Sequence, residues 1–368
     1  MSTLKAEICR IEKVETHPNA DRLELVQVKG WNCIVSKDTF LEGDLCLYIP
    51  IDSILPEELE KRIFGEGSKV KLHKQRIRTI KLRGIISQGL VVKPEEVDIF
   101  GAKEGQDFTS QLGIIKYEPP EELPSIYGTC NKIKKRYINS NFHKYTDISN
   151  IKNHPNVFEN SDWVSITEKA HGTSARFGWV KNEANTLWKK IKKLFGQLPS
   201  YEFIFGSRNV QLSYKNKNKY FYDSNVYAKT AEKYDLKNKL KIGEVVYGEI
   251  VGDGIQHGYG YGCRPNETDF YAYDIMMDDK WLNVVDFIDS CKIKRIPTVP
   301  FLYIGPYSKQ IVDTFTTGAS MLCPTGQPIR EGCVIKPLEE KNNPYVGRKV
   351  LKSINSEYLL LKNNSDFH

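Results

Sequence analysis

Along residues 6–110 apolar and polar positions alternate in short runs cut by turn chemistry. AEICRIEKVE leads into a His-Pro-Asn-Ala-Asp turn, and LELVQVKGWNCIVS, LCLYIPIDSIL and RGIISQGLVV follow. Many short strands with few helical stretches predict a small β-barrel. From Lys116 to about Val157 the periodicity lapses. EPPEELP carries proline and clustered acids, and KIKKRYINSNFHKY is basic and aromatic, so this stretch reads as a linker whose second part is able to touch phosphates. Strand patterns return from Trp163 in WVSITEKAHGTSARFGWV, YEFIFGS, EVVYGEIVG and DFYAYDIMM, separated by basic, helix-permissive insertions at 185–197 and 226–241. The expected architecture is α+β: a barrel at 1–110, a linker at 111–159 and an antiparallel-sheet-rich domain at 160–368.

A chain of 368 residues has room for two or three such units. At 40% apolar and 27% charged residues, the composition excludes disordered and low-complexity classes. No run approaches the roughly 20 apolar residues of a membrane helix, and MSTLKAEICRIEKVE lacks the apolar core of a signal peptide. The expectation is a soluble, cytoplasmic protein that meets no membrane. Eight cysteines are scattered without a C-x-x-C pair, which suggests neither a zinc site nor a disulfide framework, and all are expected as reduced thiols. A net charge of +7 matters only if the cations cluster, and they do: Lys69, Lys71, Lys74, Arg76, Arg78, Lys81 and Arg83 fall within fifteen residues, interleaved with apolar positions. This pattern reads as a basic strand facing a polyanion, or as a solvated edge strand that uses cations to block aggregation.

HPNADRLELVQV (17–28) and LRGIISQGLV (82–91) resemble the OB-fold tRNA-binding modules appended to some synthetases. That resemblance makes the barrel OB-like and assigns RNA binding to Lys74, Arg76, Arg78, Lys81 and Arg83. The chemistry sits further on. TEKAHGTSARF (167–177) sets a lysine before a His-Gly turn. With a reference pKa near ~10.4, a lysine becomes a nucleophile only where its surroundings favour the neutral amine. By itself the tetrad also fits a surface lysine at a tight turn. It has company in strict order: FIFGSRN with Arg208, VYGEIVGDGIQ with Glu249, DFYAYDI with Tyr273 and Asp274, REGCVIKP with Glu331 and Lys336, and GRKVLKSINSEYL with Lys349 and Lys352. Across roughly 160–362 the chain thus resembles the covalent lysyl-nucleotidyltransferases, specifically ATP-dependent RNA ligases of the RNA ligase 2 type. Ser174 stands where that family usually carries asparagine, and K-V-L-K replaces its K-x-K.

The resemblance implies that Lys169 forms lysyl-AMP. It places Glu168, His171, Gly172, Arg208, Glu249, Tyr273, Lys349 and Lys352 around ATP or AMP, with Tyr273 stacked on adenine and Glu249 on the ribose hydroxyls. Glu331 would hold Mg²⁺ or Mn²⁺, and Arg208, Lys336 and Lys352 would neutralise phosphate oxygens. Simpler roles stand beside these. Tyr273 fits a core strand, Glu249 a turn cap, His171 a hydrogen-bonded turn, and Lys349 a solvated strand. The glycines of HGYGYG (257–262) read as a turn, and Glu118, Glu121 and Glu122 as solvated linker charge. DNA ligases and capping enzymes carry an OB domain after the last lysine motif, whereas sixteen residues follow Lys352 and the OB-like module comes first. That order resembles RNA ligases that join a 3′-hydroxyl to a 5′-phosphate in nicked duplexes. RNA is the expected partner, and no obligate protein partner is evident. The alternative is an RNA-binding protein with the same two domains and no activity. A tRNA-associated factor acting through the OB module alone would leave the later motifs unexplained.

Overall fold

A side-chain period of two makes each short run a strand with one buried face. In the computed structural model, which describes residues 4–65, 72–117, 139–183, 187–212, 225–323 and 328–361, Leu23–Val28 buries every second residue: Glu24, Val26 and Val28. This strand pairs antiparallel with Lys13–Thr16 and Trp31–Ser36. Only Lys29 and Gly30 connect Val28 to its partner Trp31, and both have positive φ, the signature of a tight hairpin turn. A second sheet runs Glu7–Arg10, Leu45–Ile49, Leu90–Val92. Ile8, Trp31, Leu47, Ile49 and Val92 are buried.

Two units divide the described residues. The first draws on Met1–Pro120, Ile148–Val157 and Ser353–His368, the second on Glu121–Asp147 and Phe158–Lys352. Inclusion of the chain's last segment in the first unit follows from its contacts. Tyr358 and Leu359 of the helix Ser356–Leu360 are buried, Lys81 Nζ lies 3.4 Å from Glu357 Oε1, and Ser356 Oγ lies 3.3 Å from Gln88 Oε1.

The basic run is less regular than its alternation predicts. Lys69 and Lys71, like Glu118, Glu121 and Glu122, lie outside the described residues. Lys74 sits in the short turn His73–Gln75, and the strand is confined to Ile80–Leu82, paired with Ile85–Ser87. Lys74, Lys81 and Arg83 are exposed, while Arg78 is half-buried and donates to the Leu361 carbonyl at 3.4 Å. Arg76, by contrast, is turned inward. Only 7% exposed, it donates from Nε to Asp52 Oδ1 at 2.8 Å and lies 3.6 Å over the Tyr117 ring. A buried guanidinium requires such a partner, which withdraws this cation from the basic face.

In the second unit a six-stranded antiparallel sheet runs Gln211–Leu212, Tyr201–Ser207, Thr173–Lys181, Glu244–Gly252, Thr268–Met277, Lys280–Trp281. Phe177, Phe205, Val246, Ile250, Phe270 and Ile275 form one core with Val226 and Ala231 of the helix Val226–Lys233 and Phe287 of the helix Val284–Lys294. Val180, Val245, Tyr247 and Met276 belong to another core, completed by Phe142 and flanked by Tyr145, Tyr273 and Trp281. A second sheet sets Trp163–Glu168 between Phe301–Pro306 and Gly332–Pro337. Next to the last of these comes the strand Leu351–Ile354, which contributes Leu351 and Lys352 to this unit. Among the described residues no helix is long and apolar enough to cross a membrane.

Candidate active site

The Lys-Ala-His-Gly turn carries the chain out of Trp163–Glu168 in one sheet and into Thr173–Lys181 in the other. Glu168 is paired with Cys333, so Lys169 comes level with Gly332 and donates its backbone N–H to the Gly332 carbonyl at 3.0 Å. This register brings Glu331, the residue before that strand, to Lys169: Nζ lies 2.6 Å from Oε1. In the other sheet Ser174 is directly opposite Glu249. Two ladders thus assemble residues that are up to 162 positions apart in the chain.

Gly172 is required by space. A Cβ there would lie 2.2 Å from the Ile250 carbonyl oxygen and 2.9 Å from Glu249 Cγ. The turn therefore packs onto the very strand that carries Glu249.

The two carboxyls are held in opposite states. Glu331 is 1% exposed. Burial pushes it up, but the Lys169 ammonium and then His171 outweigh that and bring it to about 2, so it is ionised. Its Oε1 meets Lys169, whereas buried Oε2 has no hydrogen-bond partner, His171 Nδ1 standing 3.5 Å away. Burial also raises Glu249, to about 8, with Glu331 adding to the rise and Lys169, the Gly172 N–H and Arg208 opposing it. Glu249 is therefore mostly a neutral acid near pH 7.

Tyr273 sits where the register slips between Tyr247 and Gly248, which pair with Asp274 and Ala272 and leave it as the extra residue of a bulge. Its hydroxyl is 3.2 Å from Ser174 Oγ and its ring lies edge-on to Tyr145 at 4.7 Å. Arg208 is paired with Asp147 and half exposed. Lys352 is 3% exposed in its strand.

Other expected site residues are engaged elsewhere. Lys336 Nζ meets Asp274 Oδ1 at 2.9 Å and Glu340 Oε1 at 2.8 Å, in a buried ion network that Arg348 joins 2.6 Å from Asp274 Oδ2. Lys349 Nζ lies 2.7 Å from Asp162 Oδ2. Buried Glu168 accepts the Met321 N–H at 2.8 Å and the Ser320 hydroxyl, with Arg330 Nε at 3.7 Å. It ties down the 320–321 turn, while its neighbour Lys169 meets Glu331.

Residues that sequence reasoning passed over close the site. Gln256 Nε2 donates to the Gly172 carbonyl at 3.1 Å, Tyr261 accepts the His171 N–H at 2.8 Å, and the Tyr259 ring lies edge-on to His171 at 4.7 Å. Tyrosines interleaved with glycines in HGYGYG were the available signal. Among the described residues no group of three or more His, Cys, Asp or Glu gathers as a metal cage. Glu331 Oε2, buried without a hydrogen-bond partner, instead suits a divalent ion that takes a single carboxylate and completes its shell with water and phosphate.

Comparison with known proteins gives the family and the fold. Residues 162–354 match the sequence model of RNA ligase, and residues 5–94 match that of an OB-fold domain. Among solved structures, a Naegleria gruberi RNA ligase mutant with ATP and Mn is similar at 23% identity and TM-score 0.71, over 97% of this chain and 98% of that one. The same enzyme with PPi is similar at 22% identity and TM-score 0.69, over 97% and 98%. A lysine mutant of it with AMP and Mn gives 23% identity and TM-score 0.71, over 96% and 97%. At such identity these likenesses speak for the fold. No curated protein sequence matches.

Proposed function

The chain belongs to the RNA ligase family, and we propose that it joins RNA 3′-hydroxyl and 5′-phosphate ends in nicked duplexes, using ATP and a lysyl-AMP intermediate on Lys169. The reading rests on one observation above all: Lys169 Nζ stands 2.6 Å from the buried, ionised Glu331, with Glu249 presented by the adjoining sheet.

Lys169 Nζ, once deprotonated, forms an N–P bond to the α-phosphorus of ATP as the bond to the bridging oxygen breaks and pyrophosphate leaves. The RNA 5′-phosphate oxygen then displaces the lysine to give adenylylated RNA, and the 3′-hydroxyl displaces AMP to close the strand. Glu331 holds Nζ in place through the salt bridge. Glu249 accepts hydrogen bonds from the ribose hydroxyls, and Tyr273 supplies the adenine platform from its bulge. Arg208, exchanging Asp147 for phosphate oxygens, and Lys352 supply positive charge. Mn accompanies ATP in the Naegleria gruberi enzyme. In this chain a Mg²⁺ or Mn²⁺ at Glu331 Oε2 would neutralise charge developing on the phosphates. Lys74, Arg78, Lys81 and Arg83 position the RNA.

Incubation with ATP, Mg²⁺ or Mn²⁺ and an end-labelled nicked RNA duplex tests the proposal. It predicts a joined product with a transient 5′-adenylylated strand, more product from nicks than from single strands, and none from 3′-phosphate ends. RNA binding without any joined product would favour the inactive alternative.

A further inference from the structure

The segment from Gly252 to Cys263 lies along the lysine turn, and two of its tyrosines grip it. Tyr261 is 5% exposed and accepts the backbone N–H of His171 at 2.8 Å. Tyr259, 3% exposed, sets its ring edge-on to the His171 imidazole at 4.7 Å and 80°, and its hydroxyl donates to the Ile329 carbonyl at 3.1 Å. Ile329 is two residues before Glu331. One side chain therefore braces both arms of the site, the lysine turn and the lead-in to the carboxylate. The backbone adds an independent observation. Tyr261 itself has φ 48°, in the left-handed region where a bulky residue is an outlier. Such strain persists where the surrounding structure over-determines it, and it concentrates at functional sites.

We propose that Tyr259 and Tyr261 are positioning residues for lysine adenylylation, fixing His171 and, through it and Ile329, the Glu331 carboxylate that holds Lys169. The inference rests on the lysyl-AMP reading above. His171 Nδ1 stands 3.5 Å from Glu331 Oε2 while Lys169 occupies Oε1. If the imidazole swings away, the carboxylate loses one of the two groups that flank it, and Lys169 follows. Without the Tyr261 hydroxyl, the buried His171 N–H loses its acceptor and the turn must move to find another.

The test measures transfer of label from radiolabelled ATP to the full-length protein in a single turnover, with Mg²⁺ present and ATP varied up to saturation. The first-order rate constant reports geometry, whereas the amplitude reports how much protein is folded. Tyr259→Leu removes the ring and should slow the rate constant by at least ~10-fold with an ATP KM within ~2-fold, since a misplaced nucleophile costs rate in the transition state. Tyr259→Phe keeps the ring on His171 and should lose less than ~3-fold, and Tyr261→Phe should lose ~5-fold, the worth of one hydrogen bond. Lower amplitude with unchanged rate constants would overturn the proposal in favour of a purely structural role. Losses below ~2-fold in both Tyr259→Leu and Tyr261→Phe would also overturn it, because neither side chain would then position the site. Failure of the unmutated protein to take label would instead defeat the lysyl-AMP reading on which the inference stands.

Discussion

Replacement of Gly172 by alanine perturbs the site through one atom. The new Cβ would sit 2.2 Å from the Ile250 carbonyl oxygen and 2.9 Å from both Glu249 Cγ and Val251 Cγ1. Carbon–oxygen contacts settle near ~3.3 Å, so the turn and the strand Glu244–Gly252 must separate by about 1 Å. Neither side yields as a flexible side chain would, because the nearest atom is backbone in the middle of a paired sheet. Overpacking of this kind costs ~1–3 kcal/mol, too little to unfold a protein whose stability is ~5–15 kcal/mol. Its effect on chemistry is larger. The displacement shifts the turn that carries Lys169 against the strand that carries Glu249, and a 1 Å misplacement costs on the order of 100-fold in rate. Single-turnover label transfer from ATP, with thermal unfolding in parallel, should show Gly172→Ala slowed by ~100-fold with a cooperative melt a few degrees lower. A rate within ~3-fold of the parent would refute the claim that this close approach positions the turn that carries Lys169.

Three further outcomes follow from charges. Glu331→Gln keeps the shape and removes the charge that faces Lys169, so steady-state joining should fall by at least ~100-fold, and near-normal turnover would contradict its role. Glu249 keeps its proton up to about 8 when folded but only to the ordinary value of 4.5 when unfolded, so the native state binds more protons between those pH values and loses stability as pH rises through them. Glu249→Gln has no such cost; its melting temperature relative to the parent should climb from pH 4.5 to pH 8, and a constant difference would show that burial does not raise the carboxyl. Charge reversal at Lys74, Arg78, Lys81 and Arg83 should weaken nicked-duplex binding and flatten its salt dependence, each lost phosphate contact removing ~0.9 from the log–log slope; an unchanged slope would return these residues to edge protection.

Local pattern revealed most of the strands, because period-two burial is written residue by residue, as in Leu23–Val28. The site was legible through motif order, which named Lys169, Glu249 and Glu331 before any sheet joined them. What stayed hidden depends on partners remote in sequence. Nothing in RIRTIKLR distinguishes Arg76 from Arg78, since the difference is Asp52 beneath one of them. Lys336 reads as a phosphate ligand, and only the fold shows that Asp274 and Glu340 lie beside it. The bulge that leaves Tyr273 unpaired is a property of two strands together. Tyr259 and Tyr261 read as turn residues because glycines flank them, and only the fold sets them on His171. Likewise the helix Ser356–Leu360 follows the last lysine motif in the chain yet belongs to the first unit, where Tyr358 and Leu359 are buried.

The central claim is that Lys169 is the covalent nucleophile. Incubating the protein with radiolabelled ATP and Mg²⁺, digesting it, and locating the label by peptide mass tests this directly. One AMP adduct is expected on the peptide containing Lys169, stable to denaturation, released by acid as a phosphoramidate is, and absent from Lys169→Ala. An adduct on another residue, or label that persists in Lys169→Ala, would contradict it.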